Sequence, residues 1–187
     1  MHHKPFYLVA IPEGDIMTDL SRLQKFISRR FGMYSAPYPD LHLTVGVIEP
    51  QKNMAKCYPI LDEVIKSYQP FSVHIGGERC FGEPYSSVGV AVTSPMLARL
   101  AGELEGALTK AGYAPRTFSE WDFHISLVTP LFARRHWSQE EYLEACRIVA
   151  QHSPGGWCRL NHLELWDPDF PPLKVIERFS FAKDSST

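Results

Sequence analysis

Leu41-His42-Leu43-Thr44-Val45 and Phe123-His124-Ile125-Ser126-Leu127 are two distant stretches of this chain built to one plan. In each, a histidine stands two residues before a hydroxyl side chain, inside an otherwise apolar run. Side chains two apart in a β-strand share a face. The plan therefore puts imidazole and hydroxyl on one face and turns Leu43, Val45, Ile125 and Leu127 toward a core. One such histidine is ordinary. By average composition a given histidine meets the pattern roughly once in a hundred, so two matches among eight histidines argue for a shared purpose. Two imidazoles set opposite each other can do acid and base work near neutral pH. Thr44 and Ser126 would supply hydroxyl donors to an anion held between them, which outlines a site for cleaving phosphodiesters.

Working outward, the same alternation of elements surrounds both stretches. Phe6 to Ile11 is an apolar run ended by Pro12 and Gly14, which reads as a buried strand. Leu20, Leu23, Phe26 and Ile27 then fall at helical spacing, and Gly32 offers a stop. Leu41 to Ile48 is the first motif strand. Ile60, Leu61, Val64, Ile65 and Tyr68 mark a second helix, with Pro59 in its first turn. Strands with Phe71, Val73 and Ile75, and with Val88, Val90 and Val92, follow, joined through Gly82-Glu83-Pro84 as a hairpin.

The second half keeps the rhythm. Ser94-Pro95 predicts a capped helix start, with Leu97, Leu100, Ala101, Leu104 and Leu108 as its apolar face and Gly112 as its end. Phe123 to Val128 is the second motif strand. Ser138 to Glu141 is a capping box opening a helix to about Gln151. Leu160, Leu163 and Leu165 belong to one strand broken at Asp167-Pro168, and Leu173 to Phe181 is the last. The order β-α-β-α-β-β-α-β-α-β-β divides near Ser86 into halves of about 5–85 and 86–182. This predicts an α+β class and one two-lobed domain over 1–187, a duplicated βαβ-type fold. Two antiparallel or mixed sheets would flank a central cleft, with helices on the outside.

Composition narrows the partners. The chain has 187 residues, a formal charge of −2 and a pI near 6.4, so it lacks the basic coat that holds long nucleic acid by its phosphates. A small phosphorylated nucleotide or an RNA end is expected instead, bound by a monomer. No apolar run approaches the ~20 residues a membrane helix needs, and the N-terminus has no signal-peptide pattern. A cytoplasmic location is the expectation. Cys57, Cys80, Cys146 and Cys158 have no metal-ligand spacing and read as reduced, mostly buried thiols.

The paired motifs resemble the signature of the 2H phosphoesterase superfamily, which includes the 2'-5' RNA ligase-like proteins and the 2',3'-cyclic nucleotide phosphodiesterases. His42-Leu-Thr44-Val and His124-Ile-Ser126-Leu match its two His-x-(Ser/Thr)-apolar copies, and the element order fits from Phe6 to Phe181. The resemblance implies His42 and His124 as the acid/base pair and Thr44 and Ser126 as phosphate binders. It implies cleavage of a ribose cyclic phosphodiester without metal or cofactor. Processing of RNA ends or of 2'-5' oligonucleotides, and a non-catalytic nucleotide-binding module, are the alternatives. Several ligase-like members carry an arginine soon after the second motif, where this chain runs on as Val128-Thr129-Pro130.

Further candidates come from the residues around the motifs. Tyr85, at the expected hairpin tip, is favoured over Tyr38 and Trp121 for stacking on a base. Arg116 before the second motif strand and Arg134 after it are candidates for a second phosphate. His162 and Glu164 could join the motif histidines in space as metal ligands, but nothing in the sequence requires it, and the Thr and Ser hydroxyls beside those histidines are poor zinc ligands. No metal site is expected.

Overall fold

A computed structural model describes residues 4–51, 53–116, 122–167 and 174–183. Nine strands and four α-helices alternate along it: β1 Phe6–Ala10, α1 Asp15–Phe31, β2 Leu43–Ile48, α2 Tyr58–Lys66, β3 Phe71–Phe81, β4 Ser87–Thr93, α3 Pro95–Lys110, β5 Pro115–Arg116, β6 His124–Val128, α4 Gln139–His152, β7 Gly156–Leu160, β8 His162–Asp167 and β9 Lys174–Ser180. The α+β class holds. The two expected sheets touch: every ladder is antiparallel, and the strands run β7-β3-β4-β6-β2-β1-β8-β9, with the two-residue β5 beside β2. One pair, Leu43 opposite Ile125, joins the β6 half to the β2 half.

The expected single strand through Leu160, Leu163 and Leu165 is two. β7 lies on β3 and β8 lies on β1, with only Asn161 between them. The chain thus changes neighbour in a single residue and carries one edge of the sheet back toward its other half. Glu13, just past β1, exchanges two 2.9 Å backbone hydrogen bonds with Arg159 of β7 and helps hold that curl. Cys158 and Leu160 hold one phase of the apolar alternation and Leu163 and Leu165 the other, so a slip of phase at Asn161 accompanies the change of partner.

Helices cover one face of the curled sheet. α1 and α4 lie on the β6-β4-β3-β7 half, and α2 and α3 on the β2-β1-β8-β9 half. Their apolar sides bury Leu20, Leu23 and Ile27 of α1 and Leu97, Leu100, Leu104 and Leu108 of α3 against Leu43, Val45, Ile125 and Leu127 of the motif strands. Local signals match the ends. Gly32 takes the left-handed conformation (φ 62°) that favours glycine, Ser94 Oγ accepts from the Leu97 N–H, and Ser138 and Glu141 close both bonds of a capping box. Phe26 is the exception. It is 52% exposed beside Arg22, Lys25, Arg29 and Arg30, because six positions from Leu20 it has turned well off the buried stripe.

The cysteine expectation also changes. Cys80 of β3 and Cys146 of α4 form a disulfide, while Cys57 and Cys158 are buried free thiols. The bonded pair is 66 residues apart in sequence, and only the docking of α4 on β3 brings it together. Among the described residues, no helix is long and apolar enough to cross a membrane.

Candidate active site

The helix-free face of the sheet carries both motifs, and its register decides how they meet. Directly opposed residues of an antiparallel pair point to the same face. Leu43 opposite Ile125 therefore aims His42 toward Ser126 and Thr44 toward His124, all four on the face away from the helices. The two motifs are related by an approximate two-fold axis through the Leu43–Ile125 pair.

Each histidine is held in the same two ways. His42 Nδ1 donates to the Asp40 carbonyl at 2.8 Å, and His124 Nδ1 donates to the Asp122 carbonyl at 2.6 Å. A carbonyl only accepts, so the proton sits on Nδ1 in both rings and Nε2 is the basic nitrogen. Each ring also packs on an aromatic: His42 on Trp166, centroids 4.6 Å apart, and His124 on Phe81, at 4.5 Å. Burial pushes both imidazoles below their ordinary pKa, partly offset by those backbone bonds. The charge of the facing His124 lowers His42 further, and that of Arg79 lowers His124. Neutral rings at pH 7 follow.

The hydroxyls differ in surroundings. Ser87 Oγ donates to Ser126 Oγ at 3.2 Å. Gly89 of β4 stands opposite Ser126, so close that a Cβ there would lie 3.1 Å from the Ser126 Cα and nearer still to the Ile125 carbonyl oxygen. Thr44 stands opposite the buried Val9 of β1. Beyond Val9, Glu164 is 4% exposed and accepts from Trp166 Nε1 at 2.7 Å and from Arg178 Nε and Nη2 at 2.9 and 2.5 Å. The hydrogen bonds from Trp166 and Arg178 outweigh burial and hold its carboxyl below the usual range. His162 Nε2 lies 3.5 Å from the same carboxylate. Among the described residues, no three His, Cys, Asp or Glu side chains converge as a metal site would need.

The other candidates from the sequence are dispersed. Tyr85 is 69% exposed in the β3–β4 turn, two residues from Ser87. Arg116 sits opposite Val47 on β5 and is ion-paired with Glu49. Arg134 is exposed, and its main-chain N–H donates to the Met33 carbonyl at 2.9 Å. Tyr38 lines a hollow of about 420 Å³ between α1 and residues 38–41. Trp121 lies outside the described residues. Sequence reasoning missed the supports Asp40, Asp122, Phe81, Ser87, Gly89 and Trp166, and weighed Glu164 only in connection with a metal. One signal was readable, because an aspartate stands two residues before each motif histidine. The rest depends on strand pairing.

The chain has the 2H phosphoesterase fold. Solved structures that share it include TT0787 of Thermus thermophilus, with 16% identity over 97% of this chain and 100% of that one and a TM-score of 0.68. E. coli LigT complexed with 3'-AMP aligns over 96% of this chain and 100% of that one, with 13% identity and a TM-score of 0.63. Usb1 of Kluyveromyces marxianus aligns over 95% and 98%, with 12% identity and a TM-score of 0.52. At such identities the likeness is one of fold. No protein-family model and no curated protein sequence matches the chain.

Proposed function

We propose that this chain is a metal-independent 2H phosphoesterase that hydrolyses a ribose cyclic phosphodiester such as a 2',3'-cyclic nucleotide. The observation that carries the reading is the paired geometry at the seam. Two imidazoles, each with its proton fixed on Nδ1 by a main-chain carbonyl, lie diagonally across one strand pair, each opposite a hydroxyl. The shared fold with a phosphoesterase and with LigT, the latter solved with 3'-AMP, agrees with a small nucleotide as the ligand.

In the reaction, Nε2 of one neutral imidazole takes a proton from water as its oxygen bonds to phosphorus. The bond from phosphorus to one ribose oxygen breaks, and the other imidazole, protonated at Nε2, gives that oxygen its proton. The product is a nucleoside monophosphate. Each proton transfer contributes about 10²–10⁴ in rate. Thr44 and Ser126 donate to the non-bridging oxygens, where charge grows.

The test incubates the protein in excess EDTA with 2',3'-cyclic nucleotides and with 2'-5'-linked oligoadenylate, beside His42→Ala and His124→Ala. Turnover of the cyclic nucleotides that survives EDTA and is lost in both variants supports the reading. Cleavage of the oligoadenylate alone would assign the site to 2'-5' linkages. Nucleotide binding with no product from any substrate would make it a binding module.

A further inference from the structure

We propose that Arg79 is the cation that binds the substrate's phosphate, reaching it over a floor made by Gly89 and Ala91. This rests on the phosphodiesterase reading above and adds the positive charge that neither motif strand carries. Three strands set up the path. Arg79 of β3 lies opposite Gly89 of β4, and Gly89 lies opposite Ser126 of β6. Opposed residues share a face, so Arg79 stands on the histidine side of the sheet in one row with Ser126. Strands are spaced at about 4.8 Å, so two strand widths separate Arg79 from Ser126. No side chain rises between them, because the residue in the middle is glycine. Ala91, opposite His124, keeps the neighbouring position low as well.

The guanidinium already lies along this path. Its Cζ is 5.1 Å from the Phe81 ring centroid, and the His124 ring packs on the same Phe81 at 4.5 Å. Phe81 thus places Arg79 and His124 side by side. Arg79 is ion-paired with Asp122, whose side chain is 65% exposed. An exposed pair of this kind is worth only about 0–1 kcal/mol, whereas a guanidinium binds phosphate oxygens through charge-assisted, often bidentate hydrogen bonds. Exchanging carboxylate for phosphate is therefore favourable.

The equivalent row in the other half does not offer this. Arg178 is bound by the buried Glu164, and Val9 stands between Glu164 and Thr44. Arg116 is held by Glu49. The pseudo-symmetric cleft is asymmetric in charge, and the phosphate's non-bridging oxygens are drawn to the His124–Ser126 side.

The experiment measures KM and kcat for a 2',3'-cyclic nucleotide and the Kd of a nucleoside 3'-monophosphate. The proteins are the parent, Arg79→Ala, Arg79→Lys, Asp122→Asn and Arg79→Ala/Asp122→Asn, each checked for an unchanged thermal transition. Loss of a charged hydrogen bond predicts about a tenfold to hundredfold rise in Kd and KM for Arg79→Ala, partly recovered in Arg79→Lys. Asp122→Asn keeps the carbonyl that holds His124 and frees the guanidinium, so KM falls; in the Arg79→Ala background that gain disappears. Unchanged Kd and KM in Arg79→Ala, or a gain from Asp122→Asn that persists without Arg79, overturns the proposal. If the parent turns over no cyclic nucleotide, the phosphodiesterase reading fails, and Arg79 is judged on the 3'-monophosphate alone. Weaker binding in Arg79→Ala then supports its role, while equal binding, or none to the parent, overturns it.

Discussion

Leu43 of β2 stands opposite Ile125 of β6, and both are fully buried. Through this one pair the two half-sheets become continuous, and the four polar motif residues are its immediate neighbours on either side. Their spacing is therefore set by an apolar contact on the reverse face, where α1 and α3 supply the packing. Beyond the pair the strands take other partners: β2 continues with β5, and β6 with β4. The motif side chains sit where the two halves begin to take different partners.

Gly89→Ala should disrupt the site through the backbone. The new Cβ would lie 3.0 Å from the Ile125 carbonyl carbon, closer still to its oxygen, and 3.1 Å from the Ser126 Cα, none of which can move without shifting β6. Overpacking of this kind costs about 1–3 kcal/mol, read as a lower Tm, and turnover should fall with it because Ser126 moves. Gly102→Ala is the control. It sits on the exposed side of α3 with nothing within 4 Å of the added carbon, and should raise stability by about 0.5–1 kcal/mol.

Reducing the disulfide should loosen α4 from β3. A cross-link of 66 residues contributes about 2–4 kcal/mol, so thermal denaturation should shift down in dithiothreitol. Cys146→Ser should show the lower value with and without reductant. Thiol titration of the unfolded, unreduced protein should find two groups, Cys57 and Cys158, and four after reduction. Four before reduction would mean that the Cys80–Cys146 bond does not form.

What could be read without coordinates was whatever repeats locally. The leucine stripe of α3 and the Ser138–Glu141 box each lie within a few residues of chain and appear as expected, and the two histidine motifs, equally local, fall side by side on β2 and β6. Pairing across the sheet is different. Nothing near Arg79 announces Gly89 or Ser126 as its row, and nothing near Glu164 announces Arg178. The jump of β7 and β8 to different neighbours leaves only a slip of the apolar alternation between Leu160 and Leu163, which does not tell which strands they join. The aspartates before each histidine were visible but act through their main-chain carbonyls, a role that residue type does not signal.

Glu164→Gln should make the protein less dependent on pH in acid. In the folded chain the Glu164 carboxyl is held below its ordinary range by Trp166 and Arg178 against the effect of burial. The unfolded chain therefore binds this proton more readily. The resulting stability is full above the unfolded carboxyl pKa of about 4.3 and is lost as pH falls through the folded value. Urea midpoints measured from pH 7 downward should fall more steeply for the parent than for the variant. Equal slopes would remove Glu164 from the account. At pH 7 the variant should be weaker by about 1–2 kcal/mol, as charge-assisted bonds become neutral ones.

The pH dependence of kcat/KM should be bell-shaped, with its maximum on the acid side of the ordinary imidazole pKa. Catalysis needs one histidine protonated and the other neutral, and burial lowers both, with each ring's nearest positive neighbour adding to the effect. The free enzyme then loses its acid already below neutrality, so on the alkaline limb the rate should fall about tenfold per pH unit. Because the rings interact, the two apparent values belong to the pair. Arg79→Ala removes the charge beside His124 and should move the alkaline limb to higher pH even as overall activity drops. A profile flat from pH 5 to 8, with chemistry rate-limiting, would deny the histidines their paired role. A limb that stays in place in Arg79→Ala would show instead that the guanidinium does not act on the pair's titration.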